Sequence, residues 1–495
     1  MYYLGFDIGS SSIKVALINE SDGKAAGTAQ YPKVEMTIQS PQSGWGEQDP
    51  ATWWENLCNA TKQLFKQTAV DPNTIKGIGI SYQMHGLVLV DKDQKVLRPS
   101  IIWCDSRAVD TGEKLFEKAG PEKCERQLLN SPGNFTLSKL KWVKENEPDL
   151  YGRIHKFMLP GDYIAMALTG EISTTPSGLS EGIAWDFTNH EPAYWLFEEA
   201  GIDTNMIPEI LPTFSEQGKV TDLASSQTGI PKGVPVMYRA GDQPNNALAL
   251  NVFKPGEIAA TGGTSGVVYA ISDTIKTHES TRINSFAHVN HTAEASRIGK
   301  MLCINGTGIQ YSWMRNQLTD AMDYGTMNDQ ASAIPIGSDG LIILPFGNGA
   351  ERMLRNRNLG SSINNINFNI HKQAHLFRAA LEGIAFSFVY GLELLKGDGI
   401  NLNTIKAGND NLFRSEVFSS TIATLVDKNI SITETTGSVG AARAAAYSLG
   451  IFSNFDEATQ SDQIEKVYEP VPEKFDEYQE AFNKWKQVLE ERLGN

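Results

Sequence analysis

The feature that most constrains the fold of this chain is a local device that occurs twice. Tyr3-Leu4-Gly5-Phe6-Asp7-Ile8 is an apolar run that stops at Gly9-Ser10-Ser11-Ser12. A second run, Ile13 to Ile18, interrupted by Lys14, follows it and ends in the turn cluster Asn19 to Gly23. Apolar runs of this length bounded by Gly, Ser and Asp predict strand, tight turn, strand. The pattern returns at Glu257 to Thr261, then Gly262-Gly263-Thr264-Ser265-Gly266, then Val267 to Ile271, closed by Ser272-Asp273. Gly9 and Gly263 stand 254 positions apart, about half of the 495 residues. Two coincident Gly/Ser turns are the bland alternative; matching flanking strands and closing turns favour a duplicated unit, one copy opening each half. The turn signal Asn251-Val252-Phe253-Lys254-Pro255-Gly256 precedes the second copy. We therefore expect two lobes, residues 1–250 and 251–495, in keeping with roughly 100–200 residues per domain.

Between these landmarks the periodicity is helical in four places. Pro50 opens a helix with Trp53, Leu57, Ala60 and Leu64 along one face, and a third strand follows at Ile75 to Ser81. Residues 374–396 predict a long helix with Phe377, Leu381, Ile384, Phe388, Leu392 and Leu395 on one stripe. Gly440 to Leu449 predicts a helix whose alanines suit close packing against a neighbour, and the charged tail, 456–495, predicts a surface helix.

Composition narrows the function. With Lys+Arg at 43 and Asp+Glu at 58, the net charge of −15 disfavours nucleic acid and anionic membranes as partners. Four scattered cysteines without a Cys-x-x-Cys argue against a zinc ribbon or dithiol centre and suit a reducing compartment. No apolar run approaches about 18 residues, and Met1-Tyr2-Tyr3-Leu4 lacks the basic region of a signal peptide, so we expect a cytoplasmic enzyme without a membrane span.

A Gly/Ser/Thr turn between strands points backbone N–H groups and hydroxyls into one concavity, which suits phosphate oxygens. One such turn alone is most simply a hairpin; two facing each other across a cleft are suited to a triphosphate. There is no P-loop, and Gly77-x-Gly79 meets Tyr82 where a dinucleotide fingerprint needs its third glycine. Asp7 ends its strand at the turn, placed to bind Mg²⁺ or to cap the turn. Arg239-Ala240-Gly241-Asp242-Gln243-Pro244 puts Asp242 between a strand end and a helix N-terminus, as an N-cap or as a catalytic base whose basicity the helix dipole lowers. Gln83-Met84-His85-Gly86 follows the third strand. Asp105 and Arg107, two apart in an extended segment after Trp103, can bind a polyol or simply pair with each other. His288-x-x-His291 has metal-like spacing but no third ligand, and the simpler reading is a polar turn.

Taken jointly, these segments resemble the FGGY carbohydrate kinases. Phe6 to Lys14, Ala240-Gly241-Asp242-Gln243 and Thr261-Gly262-Gly263-Thr264-Ser265 carry the likeness. Phe135-Thr136-Leu137-Ser138-Lys139-Leu140-Lys141-Trp142 is similar to the family's first signature, Leu344 to Arg352 to its second, and Trp45 to Pro50 to a segment near the start of these enzymes. Gln83 to Gly86 and Trp103-x-Asp105-x-Arg107 are similar to the xylulokinase branch, whereas glycerol kinases carry an Arg-Glu pair in the equivalent loop. The resemblance implies an α/β fold of two actin-like (ribonuclease H-like) ATPase domains flanking a deep cleft, with sugar bound mainly by the first and ATP mainly by the second. It implies transfer of the ATP γ-phosphate to the 5-hydroxyl of D-xylulose, Mg²⁺ as cofactor, and a homodimer.

By position, Asp242 matches the general base, and Asp7 the carboxylate near Mg²⁺ and phosphate. Gln83, Met84, His85, Asp105, Arg107 and Gln243 join Asp242 as substrate-binding candidates. Ser10, Ser12 and Lys14 match the first phosphate motif, Gly263 and Thr264 the second, and Gly408, Asn409 and Asn411 the adenosine region. Glu382 and Gly383 are expected in a helix linking the domains. Three departures stand out: the adenosine region keeps only Gly408 of a glycine run, Gln243 follows the base where many xylulokinases have Asn, and Met353-Leu354 replace a common Thr-Pro. Another ketose, polyol or glycerol kinase of the family is the alternative. An actin-like filament or chaperone ATPase would share the paired turns but not the sugar loop, the Asp242 segment or the signatures.

Overall fold

The computed structural model describes residues 1–409, 412–460 and 462–494. The two Gly/Ser turns are the bends of two hairpins, each at the centre of its own sheet. In the first, β1 (Tyr2–Ile8) pairs antiparallel with β2 (Ile13–Asn19), with Asp7 opposite Lys14. β3 (Ala25–Tyr31) extends the sheet on one side; β4 (Ile75–Tyr82) and β5 (Val236–Gly241) extend it in parallel on the other, in the order β5-β4-β1-β2-β3. The second sheet repeats this. β6 (Glu257–Gly262) and β7 (Gly266–Ser272) form its hairpin, with β8 (Asn284–Ala287) and β9 (Ile298–Ile304) beyond β7. β10 (Thr404–Gly408), β11 (Ile430–Thr433) and β12 (Ile464–Tyr468) continue from β6, the first two in parallel. Both hairpins thus sit beside two parallel strands in the same order. The molecule is α/β, two actin-like domains flanking a deep cleft.

The central strands read as near-continuous apolar runs because helices cover both of their faces. Helix α1 (Pro50–Thr68) starts where Asp49 accepts the Ala51 N–H and Pro50 needs no partner. Its Trp53, Leu57, Ala60 and Leu64 are buried, as the spacing predicts.

Later helices that place the site are α2 (Thr136–Asn146), α3 (Pro176–Glu181), α4 (Asp242–Ala249), α5 (Gly308–Leu318), α6 (Gln373–Gly397), α7 (Gly437–Ser448) and α8 (Phe475–Leu493). The alanines of α7 do meet a neighbour, and it belongs to the other lobe. Following β11 of the second sheet, α7 lies on the first: a Cβ on Gly5 would sit 1.9 Å from the Ser438 carbonyl, and one on Gly79 1.9 Å from that of Ala441. Helix α4, which follows β5, crosses α7 so closely that a Cβ on Gly440 would stand 2.6 Å from that of Ala249. These two helices form the waist of the molecule, and each starts in the cleft.

Two expectations are corrected. Glu382 and Gly383 lie in α6, but α6 is internal to the second lobe. Arg378 Nε donates to Glu382 at 2.7 Å, and Gly383 backs onto Ile343 and Trp485. The charged tail is also not simply surface helix. It contributes β12 and then α8, whose Phe482, Trp485 and Leu489 are buried, with Trp485 Nε1 donating to the Ile343 carbonyl at 3.0 Å. Among the described residues, no helix is long and apolar enough to cross a membrane.

Candidate active site

The first turn is closed by Gly9 N–H donating to the Ser12 carbonyl (3.1 Å). Gln48 Nε2 donates to the Ser10 carbonyl (2.7 Å) and Trp103 Nε1 to Ser10 Oγ (3.3 Å), while Ser12 is buried. At the end of β1, Asp7 accepts from Ser81 Oγ at 3.2 Å. Burial raises the Asp7 carboxyl above its ordinary value, partly offset by Lys14 and Ser81. Asp7 and Lys14 line a cavity of about 420 Å³ with Asn246, Thr261, Gly408, Asn409, Arg414 and the start of α7. A Cβ on Gly437 would lie 2.9 Å from Asp7 Oδ2, so glycine is what lets α7 approach this carboxylate.

The second turn faces α5. Thr264 carbonyl accepts Ile309 N–H (3.0 Å) and Thr307 Oγ1 (3.3 Å), and a Cβ on Gly308 would meet the Gly263 carbonyl at 2.2 Å. Gly262, Gly263, Thr264, Ile309, Ser312, Tyr324 and Leu412 line a second cavity of about 180 Å³, adjoining the first along the end of β6. Gly408 has open space where a side chain would be. The Asn409 amide is engaged by Glu465 and by Arg414 Nε. Asn411 lies outside the described residues.

Asp242 is the first residue of α4. The helix N-terminus was expected to lower its basicity; here burial and the Asp7 carboxylate push it up to about 7, against hydrogen bonds from Gln243. Asp242 thus stands between two carboxyls, Asp7 at the end of β1 and the buried Glu181 at the end of α3. Burial and Asp242 hold Glu181 well above the carboxylate range. A Cβ on Gly241 would lie 2.2 Å from Glu181 Oε2 and 2.6 Å from Met84 Cγ, so the loop carrying Met84 and His85 abuts the start of α4 at Asp242. Gln243, partly exposed, sits beside it.

His85 has a left-handed backbone (φ 63°). Its ring packs edge-on to Phe135 (4.8 Å between centroids) and tilted against Phe286 (5.3 Å), and its Nδ1 lies 2.9 Å from the Glu181 carbonyl. Burial and the Lys139 ammonium depress its pKa to about 3. Gln83, expected among the substrate contacts, is 3 % exposed, donates to Gln48 Oε1 at 3.4 Å and so braces the first Gly/Ser turn through Gln48.

For Asp105 and Arg107 the structure selects the pairing alternative and corrects their placement among the sugar contacts. Their side chains are 0 % and 1 % exposed; Arg107 bonds Asp105 (2.6 Å) and Glu47 (2.7 Å) and stacks on Trp45 at 3.7 Å. A charged pair so fully consumed offers a ligand nothing. Trp103 of the same segment is half exposed beside Ser10 and is the better candidate. His288 hydrogen-bonds the Val252 carbonyl and Tyr269, while His291 stacks on His190.

Sequence reasoning also missed Glu181, which carries no local motif, and the role of Lys139, buried in α2 with its ammonium on the His85 carbonyl at 2.8 Å. The two signature-like segments meet here: Arg352 lies 5.6 Å over the Phe135 ring, and Glu351 accepts the Asn305 and Gly306 N–H groups.

Comparison with known proteins then decides the family. The model of the N-terminal domain of the FGGY family of carbohydrate kinases matches residues 2–249, and that of its C-terminal domain residues 258–449. The chain belongs to the FGGY family of carbohydrate kinases. It is 27 % identical to the xylulose kinase of Staphylococcus xylosus over 499 residues, 99 % of this chain and all of that one. It is 28 % identical to the L-xylulose/3-keto-L-gulonate kinase of Escherichia coli strain K12, covering 92 % of this chain and 90 % of that protein. The crystal structure of xylulose kinase from Rhodospirillum rubrum superposes with a TM-score of 0.87 at 26 % identity over the full length of both chains. The protein is therefore a sugar kinase, a phosphotransferase with an alcohol group as acceptor.

Proposed function

We propose that this FGGY kinase phosphorylates the 5-hydroxyl of D-xylulose with ATP. The observation that carries the reading is the convergence at Asp242 of the Met84-His85 loop on one side and the Asp7-Lys14 hairpin on the other. The first lobe, 1–250, holds the sugar against Met84, His85, Gln243 and Trp103. The second, 251–495, holds ATP along Gly263, Thr264 and Gly408. The sugar hydroxyl attacks the γ-phosphorus in line and gives its proton to Asp242, which at about 7 is poised to receive it at neutral pH. Phosphoryl transfer asks little covalent chemistry of a protein, so positioning and charge dominate. Lys14 and the backbone N–H groups of the two turns supply positive potential in a chain of net charge −15.

Two half-buried carboxyls, Asp7 and the Asp242 that it raises, form a donor set that fits a dication. Asp7, with Asp242 behind it, would hold Mg²⁺ through water, and the metal would neutralise phosphate charge. Closure of the lobes about α4 and α7 would exclude water that otherwise hydrolyses ATP. The proposal extends to a cytoplasmic homodimer, which light scattering and cell fractionation check.

A second reading, another ketose of the family, is favoured by Gln243 beside the base and by the name of the Escherichia coli relative. The test of the mechanism is ketose-dependent ADP release with the product placed by ³¹P NMR. Asp242→Ala should bind ATP and sugar yet lose turnover by about 10²–10⁴-fold; normal turnover would sink the assignment.

A further inference from the structure

The lysine of the first signature-like segment is a costly residue. Lys139 is 0 % exposed, and its ammonium donates to the carbonyls of His85 (2.8 Å) and Ile102 (3.0 Å). No carboxylate among the described residues lies within ion-pair distance of it. Burying an ammonium is costly, a cost that two loop carbonyls would not repay if they needed only any donor. The two carbonyls are not equivalent loop atoms, however. One ends the left-handed residue of the Gln83–Gly86 loop, and the other begins the segment carrying Trp103.

His85 is held at three points. Its N–H donates to Glu181 Oε1 (3.4 Å), its Nδ1 meets the Glu181 carbonyl (2.9 Å) and its carbonyl takes the Lys139 ammonium. A φ of 63° is unfavourable for a residue with a Cβ and persists only where neighbours over-determine it. A backbone carbonyl can only accept, so the 2.9 Å contact requires the proton on Nδ1. Phe135 and Phe286 pack against the ring and resist its rotation. The Lys139 and Arg352 charges act against a second proton. Nε2 is left bare, with no hydrogen-bond partner among the described residues.

We propose that Lys139 and Glu181 are positioning residues that lock His85 into the Nδ1–H tautomer, so that its bare Nε2 accepts a hydrogen bond from a hydroxyl of the substrate. The inference rests on the sugar site described above and deepens it. The site selects a donor at this position: an alcohol fits, whereas a carbonyl, carboxylate or methyl ether facing Nε2 leaves two acceptors opposed or the nitrogen unsatisfied.

The test uses the full chain labelled with ¹⁵N-histidine, with the His85 signals assigned by their loss in His85→Asn. Long-range ¹H–¹⁵N spectra should show a protonated Nδ1 and an unprotonated Nε2, unchanged from pH 6 to 9. Lys139→Met should raise KM for the ketose at least tenfold, leave KM for ATP within twofold, and bring the Nε2–H tautomer into the spectrum. An Nε2–H tautomer in the wild-type protein overturns the proposal without any variant having to fold. Equal losses toward both substrates in a folded Lys139→Met protein overturn it as well. A wrong choice of sugar would show instead as an absence of ketose turnover with the tautomer intact, so the two failures are distinguishable.

Discussion

Asp242→Asn separates the cost of the candidate base to the fold from its value to catalysis. The Asp242 carboxyl moves from 3.8 in the unfolded chain to about 7 in the cleft, through burial and Asp7. At about 1.4 kcal/mol per pH unit of linkage, that displacement carries roughly 4 kcal/mol, which partial exposure to the cleft reduces to about 2–4 kcal/mol. The sign follows from proton uptake. Between the two values the folded protein holds a proton that the unfolded chain has lost, so stability falls as pH rises through this window and stays low above it. Asn at 242 removes the penalty. At pH 8 the variant should therefore be the more stable protein, and less than half of its advantage should remain at pH 5. For a chain of this length the gain is about 1 °C in Tm per kcal/mol, so roughly 2–4 °C at pH 8. Thermal unfolding of the ligand-free protein at the two pH values reads this directly. In parallel, wild-type kcat/KM for the ketose should fall below about pH 7 as the base is protonated, by up to tenfold per unit. Equal Tm differences at pH 5 and 8, or a rate flat down to pH 5.5, would refute the argument.

The waist is tested by paired glycines. Gly79→Ala pushes a Cβ to 1.9 Å from the Ala441 carbonyl and should cost about 3 kcal/mol or more, whereas Gly77→Ala meets the mobile Leu449 Cδ1 at 2.7 Å and should cost clearly less in urea unfolding. The fully buried Lys300–Asp398 pair, 2.9 Å apart, should cost about 3–5 kcal/mol when broken by Lys300→Met, with much of it recovered when Asp398 is also made Leu. Lys14→Met removes the cation paired across the hairpin with Asp7 in the cavity proposed for phosphate; KM for ATP should rise about tenfold while sugar affinity, by calorimetry, stays within twofold.

What was legible in the sequence is what local chemistry decides. The hairpins are set by Gly/Ser turns between apolar runs, α1 by Asp49 and Pro50, and α6 by its stripe, and each needs only neighbours in sequence. Asp7, Lys14 and Asp242 could be located because the ends of strands at such turns are where a cleft must form. The packing of α7 on the sheet of the other lobe is a matter of partners hundreds of residues apart, and Gly5, Gly79 and Gly440 make sense only once both surfaces are known. Asp105 and Arg107 looked like ligands because extended-chain spacing says which side a residue faces and nothing of who else is there; Glu47 and Trp45 settle it. The tail was read from its charge, and charge on one face hid Phe482, Trp485 and Leu489 on the other. Glu181 and Lys139 escaped because their roles run through backbone carbonyls, that of Glu181 on the His85 ring and that of His85 on the Lys139 ammonium, which no side-chain pattern reveals.

The measurement that bears most directly on the central claim is coupled ADP release over a small panel: D-xylulose, D- and L-ribulose, L-xylulose, glycerol, gluconate and D-xylose. The account predicts that D-xylulose gives the highest kcat/KM by a clear margin, at least tenfold over glycerol and gluconate. A better rate with any other member of the panel would contradict the sugar assignment, and ADP release that no sugar accelerates would contradict the reading of the cleft itself.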